Sequence, residues 1–403
     1  MAYDIDAIRA HFPALAEGAA HFDGPGGSQT PDVVARAVAD TLMSAIANRG
    51  SVTRAEQRAE QIVQDARTAM GDLLAVDPRG VVFGRSATDL TFHLAGTLAA
   101  DWGPGDEVVV SRMDHDCNIR PWVHAAKAAG ATVRWIDFEA STGELTVDHV
   151  TAVLSERTRL VALTAASNLI GTRPDLTAVA ELVHRTGALF YVDGVHATAH
   201  ALVDFEASGA DFWVCSPYKF LGPHCGVLAA HPATLEALHP DKLLPSSNAV
   251  PDRFELGTLP YELLAGTTAA VDFLSQLAAA GSGSSTRRER IVTSLGELTA
   301  HEDSLMAVVE PALRALPGVT VHSNAKRRTP TLLFTARGHE PQEIYRALAE
   351  RGINAPASNF YAWDASHHLG LGDAGGVRIG LAPYTNRDDI DRLIGALQEI
   401  LPC

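Results

Sequence analysis

Asp211-Phe-Trp-Val-Cys-Ser-Pro-Tyr-Lys219-Phe-Leu-Gly-Pro-His-Cys-Gly226 contains one of only four lysines in a chain of 403 residues. Its apolar first half reads as a strand that runs into a Ser-Pro-Tyr-Lys turn, and Gly222, Pro223 and Gly226 bend the chain straight afterwards. Upstream, a second apolar run, Ala188-Leu-Phe-Tyr-Val-Asp193, ends in a carboxylate. An amine and a carboxylate at the ends of neighbouring strands are what pyridoxal phosphate requires. The lysine forms a Schiff base with the aldehyde, and the aspartate keeps the pyridine nitrogen protonated so that the ring accepts electrons.

Working outward, short apolar runs alternate with amphipathic stretches. Strands are predicted at 81–84, 107–112, 132–137, 159–165, 188–193, 211–216 and 226–230, with helices at 88–100, 121–129, 147–155 and 176–186. Such alternation implies a mainly parallel sheet covered on both faces, with ligands bound beyond the strands' C-terminal ends, where Asp193 and Lys219 fall. Composition turns polar and flexible at Ala280-Gly-Ser-Gly-Ser-Ser285, a surface loop rather than an interdomain tether. A long charged helix (287–316) follows. Strands at 319–322, 331–336 and 377–380 and helices at 341–351 and 387–401 then suggest a small α/β domain.

A net charge of −16 argues against nucleic acid or an anionic membrane as partner. The acidic start Met1-Ala-Tyr-Asp4 is not a signal peptide, and no apolar run reaches the length of a spanning helix. Cys117, Cys215, Cys225 and Cys403 have no framework spacing, which favours free thiols in a reducing cytoplasm.

Three more segments fall at strand ends. In Gly84-Arg-Ser-Ala-Thr88-Asp89, the backbone N–H groups around Ala87 and the hydroxyls of Ser86 and Thr88 make a phosphate seat, although such a loop more often only caps its helix. Ser111-Arg-Met-Asp-His115-Asp-Cys-Asn118 puts His115 on the ligand face, where it can stack on a pyridine ring and shuttle protons or remain a plain loop histidine. No metal site is read from it, because adjacent residues rarely converge on one ion. In Thr164-Ala-Ala-Ser-Asn168-Leu-Ile-Gly171-Thr172, Asn168 can reach the cofactor's phenolic oxygen, as can His196 of Val192-Asp-Gly-Val-His196. Either can instead hold loop backbone.

Together these loops resemble the class V aminotransferase and cysteine desulfurase family of fold-type I pyridoxal phosphate enzymes, within its cysteine-desulfurase-like subgroup. The resemblance runs from Phe22-Asp-Gly-Pro-Gly26 to the last helix. It implies an α/β fold: a large domain (21–280) on a mostly parallel seven-stranded sheet, a small C-terminal domain (281–403), and an N-terminal segment (1–20) packing near the small domain. By the same resemblance, Lys219 is the Schiff-base lysine, Asp193 pairs with the pyridine nitrogen, and His115 stacks on the ring. Asn168 and His196 (usually glutamine) face the phenolic oxygen, and Asn168 also meets substrate. Ala87, Thr88, Ser216 and Tyr218 (usually histidine) hold the phosphate. Arg253-Phe-Glu-Leu-Gly-Thr258 matches a motif whose threonine reaches the phosphate from the other subunit, which implies a homodimer with shared active sites. Arg378, in Val377-Arg-Ile-Gly-Leu-Ala-Pro-Tyr384, matches the arginine that grips the substrate carboxylate; a planar fork suits that contact.

One departure bears on function. Cysteine desulfurases place a nucleophilic cysteine shortly before that arginine, whereas here Ala355-Pro-Ala-Ser-Asn-Phe-Tyr-Ala-Trp-Asp364-Ala-Ser-His-His368 has none. Cys117 and Cys225 read as structural. The expected activity is therefore carbon–sulfur lysis of an amino acid without a protein persulfide, with Phe360, Tyr361 and Trp363 either an apolar wall for a substrate bulkier than cysteine or ordinary packing. The alternatives are an aminotransferase or epimerase on the same cofactor, or a binding protein that kept the fold and lost the chemistry.

Overall fold

The structure is a computed structural model that describes residues 3–278 and 285–401. Seven strands form the larger sheet: β1 (Val81–Gly84), β2 (Glu107–Ser111), β3 (Thr132–Ile136), β4 (Thr158–Thr164), β5 (Leu189–Asp193), β6 (Phe212–Cys215) and β7 (Gly226–Ala230). Their order is β1-β7-β6-β5-β4-β2-β3, antiparallel only where β7 meets β1 and β6.

Strand residues alternate between two apolar layers, as a two-unit pleat requires. Phe83, Val109, Val161, Phe190, Val192 and Trp213 pack into one layer. Val82, Val108, Leu160, Tyr191, Phe212 and Leu228 pack into the other, beneath the helices Ala87–Ala99 and Arg120–Ala129. Burial on both faces is why the inner strands are continuous apolar runs, whereas the edge strand β3 alternates and leaves Thr132 and Arg134 exposed. The predicted helix at 147–155 stops at Thr151. The Ser155 hydroxyl donates to Glu107 (2.7 Å), which turns the chain into β4 before another helical turn can form.

The C-terminal residues build a four-stranded antiparallel sheet from β8 (Val319–Val321), β9 (Thr331–Ala336), β10 (Ala357–Ser358) and β11 (Gly376–Gly380), ordered β10-β11-β9-β8. The helix Arg287–Ala315 starts with a Thr286/Glu289 capping box. It buries Ile291, Leu295 and Leu298 in the first core and Leu305, Val309 and Leu313 in the core of the small sheet, so one rod joins both. The expected domain boundary at 280/281 and most of the Gly-Ser stretch lie outside the described residues. Near the N-terminus, Ala20–His21 pairs in parallel with Ile353–Asn354. Arg9 donates to Asp389 (2.8 Å) and the Tyr3 hydroxyl to the Pro383 carbonyl (2.6 Å). Among the described residues no helix is long and apolar enough to cross a membrane.

Candidate active site

The C-terminal ends of β1, β2, β4, β5 and β6 open into one cavity of about 610 Å³. Ala87, Thr88, His115, Asn168, Asp193, His196, Ser216, Tyr218, Lys219 and Arg378, all expected from sequence, line it. Thr258 does not; it lies exposed on the surface.

Lys219 stands in the single turn Pro217–Lys219 that follows β6. Its amine donates to the Pro25 carbonyl and lies 4.8 Å from the Tyr218 ring centroid. Burial, with Arg378 nearby, lowers its pKa to about 8, so a free amine is accessible near neutrality. Asp193, at the end of β5, is 3% exposed. One oxygen accepts from the Val195 N–H (2.9 Å) and the other only from the Cys117 thiol (3.7 Å). Burial raises its pKa to about 6. A carboxylate this dry and this lightly bonded suits a cationic N–H, which is what a protonated pyridine offers.

The strand-to-helix turn at Ser86–Thr88 also borders the cavity. Ser86 caps the helix Ala87–Ala99 by accepting from the Asp89 N–H (3.1 Å), leaving the Ala87 and Thr88 N–H groups without intrahelical acceptors. A Cβ on Gly226 would stand 2.3 Å from the Ser86 carbonyl carbon, so only glycine lets β7 pass this close. Tyr218 lies 4.6 Å from His224 in a near-parallel stack.

His115 accepts from the Cys117 N–H at Nδ1 (3.0 Å), which leaves the proton of a neutral ring on Nε2. Burial, followed by Lys219 and Arg378, lowers its pKa to about 4. His196 is held by the hydroxyls of Thr329 (2.9 Å), just before β9, and of Thr331 (3.0 Å), the first residue of β9, while its buried Nδ1 has no partner. Asn168 gives its amide to the Phe360 carbonyl (2.9 Å), and its buried side-chain oxygen is unpartnered. Arg378, on β11, is 1% exposed. It donates to the Asn168 carbonyl (2.9 Å) and to Asp23 (2.6 Å).

Sequence reasoning missed several lining residues. Asp23 and Pro25 come from the N-terminal Phe22–Gly26 segment, and Phe92, Asp116 and Arg120 also line the cavity. The Asp-Gly-Pro-Gly run was the available signal for the first pair; nothing local marks the others. Phe360 and Tyr361 line the cavity, but Trp363 does not: its indole N–H is drawn to Asp373 (2.9 Å).

Fold and pocket together define an α/β protein with an amine, a dry carboxylate, a helix N-terminus and a buried guanidinium around one cavity. The aminotransferase class-V family model matches residues 20–393, and the chain belongs to that family. It is 33% identical over 402 residues to an uncharacterized protein of Mycobacterium tuberculosis, covering 99% of this chain and 100% of the relative. It is 30% identical to a cysteine desulfurase of Klebsiella pneumoniae, covering 99% of each chain. Among solved structures it is similar to the cysteine desulfurase CsdA of Escherichia coli. That match has a TM-score of 0.88 at 26% identity, over 100% of this chain and 99% of that one.

Proposed function

We propose that the protein cleaves a carbon–sulfur bond of an amino acid, by β-elimination or a related route, without a persulfide-forming cysteine. The observation that carries this is the wall of the cavity ahead of Arg378, where Phe360 and Tyr361 stand and no cysteine does. Nor do the other thiols suit a nucleophile: burial pushes Cys117 well above the ordinary range and Cys225 to about 11.

The cofactor is pyridoxal phosphate, and when bound it supplies an electron sink for negative charge developing beside the amino group. Lys219 would hold its aldehyde, Asp193 its ring nitrogen, His115 its ring face, and Ala87, Thr88, Ser216 and Tyr218 its phosphate. Asn168 and His196 would face the phenolic oxygen. Arg378 would orient the substrate carboxylate, and Lys219, with its lowered proton affinity, would take the proton from the α-carbon. Departure of a thiol then needs no protein sulfur.

We further propose a homodimer whose sites are completed by Thr258 of the other subunit. Its support is the exposure of Thr258 together with the apolar Leu256, which is 59% exposed. The described cysteines are free, as a reducing cytoplasm would keep them.

The test is steady-state assay with a panel of amino acids. Ammonia and a keto acid released without an acceptor support elimination; strict dependence on a keto-acid acceptor replaces it with an aminotransferase.

A further inference from the structure

The stretch that lacks the cysteine is tied down at nearly every residue. The Phe360 N–H donates to the Ser358 hydroxyl (3.1 Å), the Tyr361 N–H to the Asn359 side chain (3.1 Å) and the Ala362 N–H to the Asn359 carbonyl (2.9 Å). From the cavity side, Asn168 donates to the Phe360 carbonyl (2.9 Å) and the Asp116 N–H to the Tyr361 carbonyl (2.7 Å). The Phe360 ring lies under Arg378, and the Tyr361 ring stacks on His115 with centroids 5.5 Å apart. Phe360 and Tyr361 have φ of 52° and 57°, values that aromatic residues hold only when their surroundings enforce them.

Three residues on, Asp364 is 7% exposed. It accepts from Arg120 (2.6 Å) and faces Arg112 at 3.5 Å. Both arginines flank the His115 loop: Arg112 directly follows β2, and Arg120 opens the next helix. Arg112 is further held by Asp137 (2.6 Å) and lies over the Trp135 ring, and Arg120 by Asp116 (2.8 Å). Asp364 thus adds an ionic bolt to the Asp116–Tyr361 hydrogen bond and the His115–Tyr361 stack that already join the aromatic turn to the His115 loop.

We infer that Asp364 is a positioning residue. Clamped by Arg112 and Arg120, it fixes Phe360 and Tyr361 as a rigid wall packed against His115. That wall selects amino acids whose sulfur carries a bulky apolar substituent over free cysteine. Phe92 lines the same cavity and adds to its aromatic surface. The substrate class rests on the lyase proposal above; the clamp does not.

The test compares wild type with Asp364→Ala and Asp364→Asn, using S-benzylcysteine and cysteine. Three quantities are read: kcat/KM, dissociation constants from the shift of cofactor absorbance, and hydrogen exchange across 357–364 with and without cofactor. Expected for Asp364→Ala is faster exchange and a preference for S-benzylcysteine reduced about tenfold. Asp364→Asn should fall between, since it keeps a bond to Arg120 but not the charge. Unchanged exchange overturns the clamp, and faster exchange with an unchanged preference overturns the selection. If wild type releases neither phenylmethanethiol from S-benzylcysteine nor hydrogen sulfide from cysteine, the lyase proposal fails on its own, and the ratio of dissociation constants still decides the wall.

Discussion

The guanidinium carbon of Arg378 lies 3.6 Å from the centroid of the Phe360 ring, so the group expected to grip a carboxylate is sandwiched from below by the cavity wall. It is also engaged by Asp23 and the Asn168 carbonyl. A lysine at this place keeps the charge but loses the planar stack and the fork. Arg378→Lys should therefore lower kcat/KM for amino acids by about a hundredfold, mostly through KM. Steady-state kinetics check it, and a loss confined to kcat would contradict carboxylate binding.

Asp193 ties function to a stability cost. Its pKa in the cofactor-free fold, about 6, is above the ordinary carboxylate value. The stability tied to it is therefore complete below pH 4 and lost as pH rises through 6. The cost at neutral pH is on the order of 3 kcal/mol. Asp193→Asn should raise the Tm of the cofactor-free protein at pH 7 and leave the two melting curves converging toward pH 4. Turnover of the loaded enzyme should fall at the same time. Thermal melts from pH 4 to 7 and a parallel assay test both halves.

Glu255, inside the motif that ends in Thr258, serves the fold. It pairs with Arg67, whose side chain is 3% exposed, and it accepts from the Phe83 N–H of β1 (2.9 Å). Glu255→Ala leaves a buried guanidinium with one fewer carboxylate and an orphaned strand N–H. A loss of about 3 kcal/mol in denaturant unfolding is expected.

The large sheet was legible because strands buried on both faces are written as continuous apolar runs, and β1, β6 and β7 fall within a residue of their predicted limits at each end. The residues at strand ends were legible for the same reason: a parallel sheet gathers its C-terminal loops at one edge, so Lys219, Asp193 and His115 had to converge. What the sequence hid is long-range. Nothing near Asp23 signals a partner at Arg378, and nothing near Asn168 says that its amide will hold the Phe360 carbonyl. The left-handed backbone at Phe360 and Tyr361 was equally hidden, since no glycine or asparagine occupies either position. Of the two readings open for Trp363, the wall fails because its polar edge found Asp373, a contact that spacing does not encode.

Lys219 makes a prediction independent of any substrate. In the cofactor-free protein, burial and Arg378 hold its amine near a pKa of 8, so it should react with amine-directed reagents at neutral pH far ahead of exposed lysines. Arg378→Met removes the nearest cation and should move the reactivity midpoint to higher pH. In the loaded protein, borohydride followed by peptide mapping should label Lys219 alone. Label at Lys127, Lys242 or Lys326 would refute the assignment.

Thr258 can be tested in trans. If it completes the partner's site, a Lys219→Ala subunit and a Thr258→Ala subunit are each defective alone, for different reasons. A mixed dimer contains one site that takes Lys219 from the second subunit and Thr258 from the first, both intact. Its other site lacks both. Co-expression of the two variants should therefore recover activity in the mixed dimer, up to about half of wild type per dimer, whereas either variant alone stays low. If Thr258 instead acts within its own chain, every site in the mixture carries one lesion, and mixing recovers nothing. Sedimentation of the wild-type protein supplies the matching check, because a monomer at assay concentration would exclude any shared site.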